Sequence, residues 1–207
     1  PWSEEFIEKY EDKWDWKNLS YVIDFSPSAE FITKYYFRWD WKEISGNNDI
    51  LKTENFIKEY HNSLDWKELS RWGDLSYASI ENYKNKWDWK ELSRNDRITW
   101  NETLLTKYSN KWDWIQLSNN KGLLWTKELI MKHEDKWCWM RLSSNEGLPW
   151  SKTLIEKYEE KWRWMKNENF PYHFEGLCGN RDAWEKAFKP YITDDLIKEV
   201  MEKIKTS

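Results

Sequence analysis

Side chains that could carry bond-making chemistry are sparse and scattered. His61, His133 and His173 stand in unrelated surroundings, and Cys138 and Cys178 lie 40 positions apart. A zinc site or a redox pair needs ligands at close, regular spacing, so neither metal nor disulfide is expected, and both thiols are read as reduced and half-buried. No Gly-rich phosphate loop occurs, and no Ser/His/Asp or Cys/His arrangement assembles. The Asp residues that recur, Asp15, Asp40, Asp65, Asp88 and Asp113, stand at one place in separate copies of a repeating unit. Acid–base catalysis by paired carboxylates needs singular residues that break such a pattern, and none does. The expectation is a non-enzymatic chain with no cofactor and no metal.

One recurrent set does suggest binding. Lys13, Arg38, Lys86, Lys111, Lys136 and Lys161 each precede a Trp or a residue in its place, while Lys17, Lys42, Lys67 and Lys90 follow a Trp two positions further on. Stacked copies would align these cations beside aromatic rings, the chemistry of a track for single-stranded nucleic acid. Acidic neighbours such as Glu11-Asp12, Glu134-Asp135 and Glu159-Glu160 work against it, as do a net charge of −4 and a pI near 5.6. A solvated face is the favoured reading of this ladder. Trp72 and Trp184 fall outside the regular columns. They are the candidate exposed aromatics, which would suit a carbohydrate or small ligand.

The elements that must hold these residues follow from an internal repeat. Nineteen Trp occur in 207 residues, and the second Trp of each Trp-Asp-Trp falls at 16, 41, 66, 89, 114, 139 and 164, spaced 25, 25, 23, 25, 25 and 25. The preceding aromatic recurs as Trp14, Trp39, Trp87, Trp112, Trp137 and Trp162, with Leu64 once in its place. Seven copies of a two-helix unit result.

Ser3, Ser28, Thr53, Ser76, Asn101, Thr126 and Ser151 predict the start of each first helix, since their side chains accept the free amide hydrogens there. Trp2, Trp100, Trp125 and Trp150 precede four of these caps, and Ile7, Leu105, Ile130 and Ile155 follow five positions later, the spacing of a hydrophobic staple. Phe6, Ile7, Tyr10 and Trp14 form one apolar stripe at the helical period, and His133 occupies the Tyr column as a packing residue. Asp40 with Glu43, Asp65 with Glu68, and Asp88 with Glu91 have capping-box spacing, so Trp-Asp-Trp reads as a boundary between two helices. Leu-Ser and a polar loop close each unit.

A unit this short cannot enclose a core, so consecutive units must stack. The expected fold is an all-α helical-repeat solenoid of seven two-helix units over residues 1–166, with a non-repeat helical capping segment over 167–207 and a last helix from Thr193-Asp194. The strings Trp150-Ser151 through Glu156-Lys157-Tyr158 and Lys86-Trp87-Asp88-Trp89-Lys90-Glu91-Leu92-Ser93-Arg94-Asn95 resemble the tandem tryptophan-rich repeat proteins (WDWxxLSxN) of bacteria and large DNA viruses. The resemblance covers residues 1 to about 166 and implies a repeat architecture without implying any activity.

From architecture, the expected role is a scaffold that presents a protein- or peptide-binding surface. Nucleic-acid binding along the ladder and carbohydrate or small-ligand binding by exposed Trp are the alternatives. No run of eighteen apolar residues exists, so no membrane span is expected and the chain is placed in the cytoplasm. Pro1-Trp2-Ser3 aligns with Pro149-Trp150-Ser151, which leads to the expectation that the N-terminal end packs on further repeats or on another chain.

Overall fold

The computed structural model describes residues 2–22, 25–47, 50, 53–164, 176–193 and 195–196, and among them every regular element is helical. The first helices of the seven repeats are α1 (Glu4–Lys9), α3 (Ala29–Lys34), α5 (Glu54–Tyr60), α7 (Tyr77–Asn82), α9 (Glu102–Lys107), α11 (Lys127–Lys132) and α13 (Lys152–Lys157). Six second helices are described: α2 (Trp16–Tyr21), α4 (Trp41–Gly46), α6 (Trp66–Trp72), α8 (Trp89–Arg94), α10 (Trp114–Leu117) and α12 (Trp139–Ser143). The seventh second helix would follow Trp164 and lies outside the described residues, as does the expected boundary at 166/167. The chain forms two compact units, Pro1–Asp113 and Trp114–Ser207.

All seven first helices begin where the sequence places them. In each, the side chain of Ser3, Ser28, Thr53, Ser76, Asn101, Thr126 or Ser151 accepts the amide hydrogen three residues on. The helices are shorter than the apolar stripe implies. α1 stops at Lys9, and Tyr10 leaves helical geometry at φ −124° and ψ 29°. A hydrogen-bonded turn then carries Tyr10 and Trp14 along the same side. It is closed by the Trp itself: the Trp14 indole N–H donates to the Ile7 carbonyl at 2.9 Å, and Trp39, Trp87, Trp137 and Trp162 do the same seven positions back. The indoles thus donate to carbonyls of the last helical turn, and those of Ile7 and Ile155 also accept the backbone N–H of Tyr10 and Tyr158.

The second helices start on Asp15, Asp40, Asp65 and Asp88, whose carboxylates each accept two amide hydrogens of the first turn. The reciprocal half of the expected capping box is replaced. The Asp backbone N–H goes to the Ser Oγ of the preceding repeat, Asp40 to Ser20, Asp65 to Ser45, Asp88 to Ser70 and Asp113 to Ser93, at 2.8–3.0 Å. In the second unit Cys138 and Arg163 use Ser118 and Ser143 in the same way. Each Ser Oγ also donates to the Trp carbonyl four residues back, as Ser70 does to Trp66 at 2.6 Å. A loop Asn completes the join: Asn47 Nδ2 donates to the Ser20 carbonyl, Asn95 to those of Ser70 and Gly73, and Asn145 to that of Ser118.

Apolar burial sits between these polar seams. Ile7, Ile44, Ile57, Leu69, Ile80, Leu92, Leu117, Ile130 and Leu142 are fully buried, each contributing about 1.5–3 kcal/mol of transfer free energy. In the first unit α2 packs on α4, α4 on α6 and α6 on α8. The Trp before each cap closes on a ring twelve positions later, not only on the aliphatic five positions on: Trp100 on Trp112, Trp125 on Trp137 and Trp150 on Trp162, at 5.0–5.2 Å between centroids. In the shortened third repeat Gly73 has no room for a Cβ, which would lie 2.6 Å from the Leu69 carbonyl oxygen.

The tail rejoins the repeat pattern. After Gly176 at φ 62°, Leu177 and Cys178 donate backbone hydrogen bonds to the carbonyls of Arg163 and Trp164. Asn180 Nδ2 then reaches the carbonyls of Ser143 and Asn145, as Asn145 reaches the repeat before it. Leu177-Cys178-Gly179-Asn180 therefore stands in the register of Leu142-Ser143-Ser144-Asn145. α14 (Arg181–Ala183) follows, capped by Asn180 and continued by a π turn over Trp184–Phe188 and a 3-10 turn over Lys189–Tyr191. Thr193 Oγ1 accepts the Leu196 amide hydrogen, in keeping with a helix start there; the rest of that expected helix lies outside the described residues.

Candidate functional site

The basic ladder divides into two kinds of residue. Arg38 lies over the Trp16 ring at 5.6 Å, Lys111 over Trp89 at 5.0 Å, Lys136 over Trp114 at 5.2 Å and Lys161 over Trp139 at 5.1 Å. Each cation belongs to the repeat after its ring, so it shields the outer face of the second Trp and joins two repeats. Lys13, in the first repeat, lies over Tyr10 instead. Carboxylates reinforce the arrangement: Arg38 pairs with Asp12 at 3.1 Å and Lys161 with Glu134 at 3.8 Å. Lys86, Lys17, Lys42, Lys67 and Lys90 are exposed. A base could not stack on these indoles without first displacing the cation that covers them.

The flank of the first helices is likewise a surface of crossed pairs. Tyr35 donates to Glu11, Tyr108 to Glu81, and Lys34 and Lys107 pair with Glu8 and Glu81, all at 2.8 Å. The hydrogen bond from Lys107, followed by that from Tyr108, lowers the Glu81 carboxyl below its ordinary value. Burial, then the bond to Glu81, raises the Tyr108 phenol. Lys107 is raised by its bond to Glu81. These shifts fix the charged carboxylate, the neutral phenol and the ammonium, which suits a structural pair and not a base or nucleophile poised near neutrality.

The remaining candidates of the sequence are dispersed. His133 is buried and packs 4.9 Å from the Trp114 ring, taking the place of a column Tyr. His61 lies within hydrogen-bonding distance of the Lys58 carbonyl, and His173 lies outside the described residues. Both thiols are free, Cys138 half-buried and Cys178 exposed. Among the described residues no three His, Cys, Asp or Glu side chains gather to hold a metal ion. No described helix is long and apolar enough to cross a membrane.

Trp72 is 40% exposed and Trp184 47% exposed. Trp72, the last residue of α6, rests near Gly46 of the preceding repeat with the Arg71 guanidinium 5.0 Å from its ring, at the sequence position that Asn fills elsewhere. Trp184 has a different setting. It lines a cleft of about 460 Å³ in the second unit together with Trp164, Phe188, Tyr191, Ile192 and Ile155. Polar groups at its margin are Lys152, Glu156 and Glu159. Lys152 is engaged, 3.6 Å from Glu156 and 5.1 Å from the Tyr191 ring centroid.

The π turn that swings Trp184 and Phe188 toward Trp164 builds this cleft, and a repeat-based reading of the sequence does not find it. Its one sequence signal is the aromatic run Trp184, Phe188 and Tyr191 beyond the last Trp-rich unit. Chemically the cleft offers aromatic and aliphatic walls with a weakly acidic margin, the surroundings of an apolar side chain held next to a cation. No known protein family, curated protein or solved structure matches the chain.

Proposed function

We propose that this chain is a non-enzymatic tandem-repeat scaffold, kin to the tryptophan-rich repeat proteins it resembles, that binds a protein or peptide segment in the Trp184 cleft. The observation that carries this reading is the placement of large exposed apolar groups. Most Trp side chains are buried or covered by cations, whereas Trp164, Trp184, Tyr191, Ile192 and Leu196 are exposed and line one concavity. A clustered apolar surface with a polar rim is the ordinary form of an anchoring site for a partner's side chain. The seams between repeats use their Ser, Asn and Asp groups structurally, which leaves them little chemistry to offer.

The test is selection of random twelve-residue peptides on the full chain, followed by affinity measurement against Trp184→Ala. Enriched peptides should carry an aromatic or large aliphatic residue beside Lys or Arg, and should bind the variant at least tenfold more weakly. Equal binding by the variant would remove the cleft from the reading. A labelled single-stranded oligonucleotide should show no shift at low salt, where phosphate contacts are strongest; a shift there would favour the nucleic-acid alternative.

A further inference from the structure

One residue breaks the polar character of the turn that follows each first helix. Asp12, Asn62, Asn85, Asn110, Asp135 and Glu160 stand at that position in six repeats, and Phe37 stands there in the second. Phe37 is 96% exposed, more than any other large apolar side chain among the described residues. It is also held in place. The Arg38 N–H donates to the Tyr35 carbonyl across the turn at 2.8 Å, and the Phe37 ring meets the Tyr36 ring edge-on at 5.0 Å. Tyr36 in turn shares a hydrogen bond through its hydroxyl with Ser63 of the next repeat. A scattered exposed apolar residue is ordinary. One fixed by its own turn and by an anchored neighbour, where the repeat otherwise keeps a polar group, is a preorganised knob that loses little freedom when a partner buries it.

The Trp184 cleft has the complementary form. Its aromatic and aliphatic walls enclose about 460 Å³, room for one aromatic side chain, and Glu156 and Glu159 at its margin are exposed. Next to Phe37 the chain carries a cation, Arg38. Of the five donors of a guanidinium, one goes to the Glu11 carbonyl and one to the Asp12 carboxylate. The side chains of the pair with Asp12 are 41% and 81% exposed, so little is lost in trading that carboxylate for another. Glu156 is shared with Lys152, which leaves Glu159 as the carboxylate for an incoming cation. Knob and cleft belong to different compact units of the chain, so a contact between them across two copies joins unlike surfaces.

We propose that the Trp184 cleft takes Phe37 of a second copy of this chain, with Arg38 of that copy against Glu159, so that copies join head to tail. The proposal rests on the reading of the cleft as an anchoring site and names its occupant. Each added copy brings one further knob and one further cleft, so association continues unless the chain of copies closes into a ring.

The test is sedimentation equilibrium of the full chain. The wild type should gain weight-average mass as its concentration is raised to hundreds of micromolar, whereas Phe37→Asp and Trp184→Ala should each stay monomeric alone. Mixed, these two variants retain one intact knob and one intact cleft, and should form a one-to-one dimer and nothing larger. Glu159→Lys should weaken association at least tenfold, because it sets a cation against Arg38. Circular dichroism checks that each variant is folded, and Tyr191→Glu replaces Trp184→Ala if that one is not. A wild type monomeric at every concentration, association undisturbed by Phe37→Asp, or no dimer in the mixture would overturn the proposal. If peptides selected on the chain still bind through Trp184, the cleft keeps its role as an anchoring site without this occupant; if they do not, both readings fall.

Discussion

A single hydroxyl decides how two repeats meet. Ser70 is fully buried, accepts the Asp88 N–H at 3.0 Å and donates to the Trp66 carbonyl at 2.6 Å. Alanine in its place would keep the volume but strand a part-buried amide donor, which costs about 1–3 kcal/mol. Ser70→Ala should therefore lower the unfolding free energy by that amount in urea denaturation without a change in m-value. A loss below about 0.5 kcal/mol would mean that water or Glu91 takes over the N–H. The same logic explains why Leu19, Ile44, Leu69, Leu92, Leu117 and Leu142 are each followed by Ser and not by another small residue. Alanine would fit the space, yet only Ser both answers its own helix and accepts from the next one.

At the scale of the helix, the capping Asp is the residue whose role can be read most directly. Its carboxylate acts within its own chain segment, so a four-residue window contains both donor and acceptor, as at Asp65 with Lys67 and Glu68. Cys138 occupies that position in the sixth repeat and makes no side-chain cap hydrogen bond. Cys138→Asp should stabilise α12 by about 0.5–2 kcal/mol, the usual worth of a cap, visible as a raised thermal midpoint. An unchanged or lowered midpoint would show that Asp cannot adopt the cap geometry beside Trp139. What local windows do not contain stayed hidden. The Ser–Asp bonds and the Asn–carbonyl bonds of the repeats join residues 18 to 27 positions apart, so they appear only once the stacking is known. The shortness of the first helices was hidden too, because Tyr10 and Trp14 keep the helical spacing while lying in a turn. Asn180 was missed because residues 167–176 separate it from the repeat it completes. The Trp184 cleft depends on a π turn, for which the sequence gives no periodic signal.

Across the first unit, stability is expected to be local. Its described seams join consecutive repeats: Ser20 to Asp40, Ser45 to Asp65, Ser70 to Asp88 and Ser93 to Asp113. Stacked arrays of this kind behave as chains of nearest-neighbour couplings, so damage spreads through adjacent repeats and fades with distance. Ile80, fully buried in α7, tests this. Ile80→Ala removes three carbons from a fully buried site and should cost about 2–5 kcal/mol. Native-state hydrogen exchange should then show the largest loss of protection in α5 through α8 and the smallest in α1 and α2, three repeats away. Equal loss at α1 and α7 would instead mark the unit as one cooperative block, in which the Trp-rich seams transmit strain along its length.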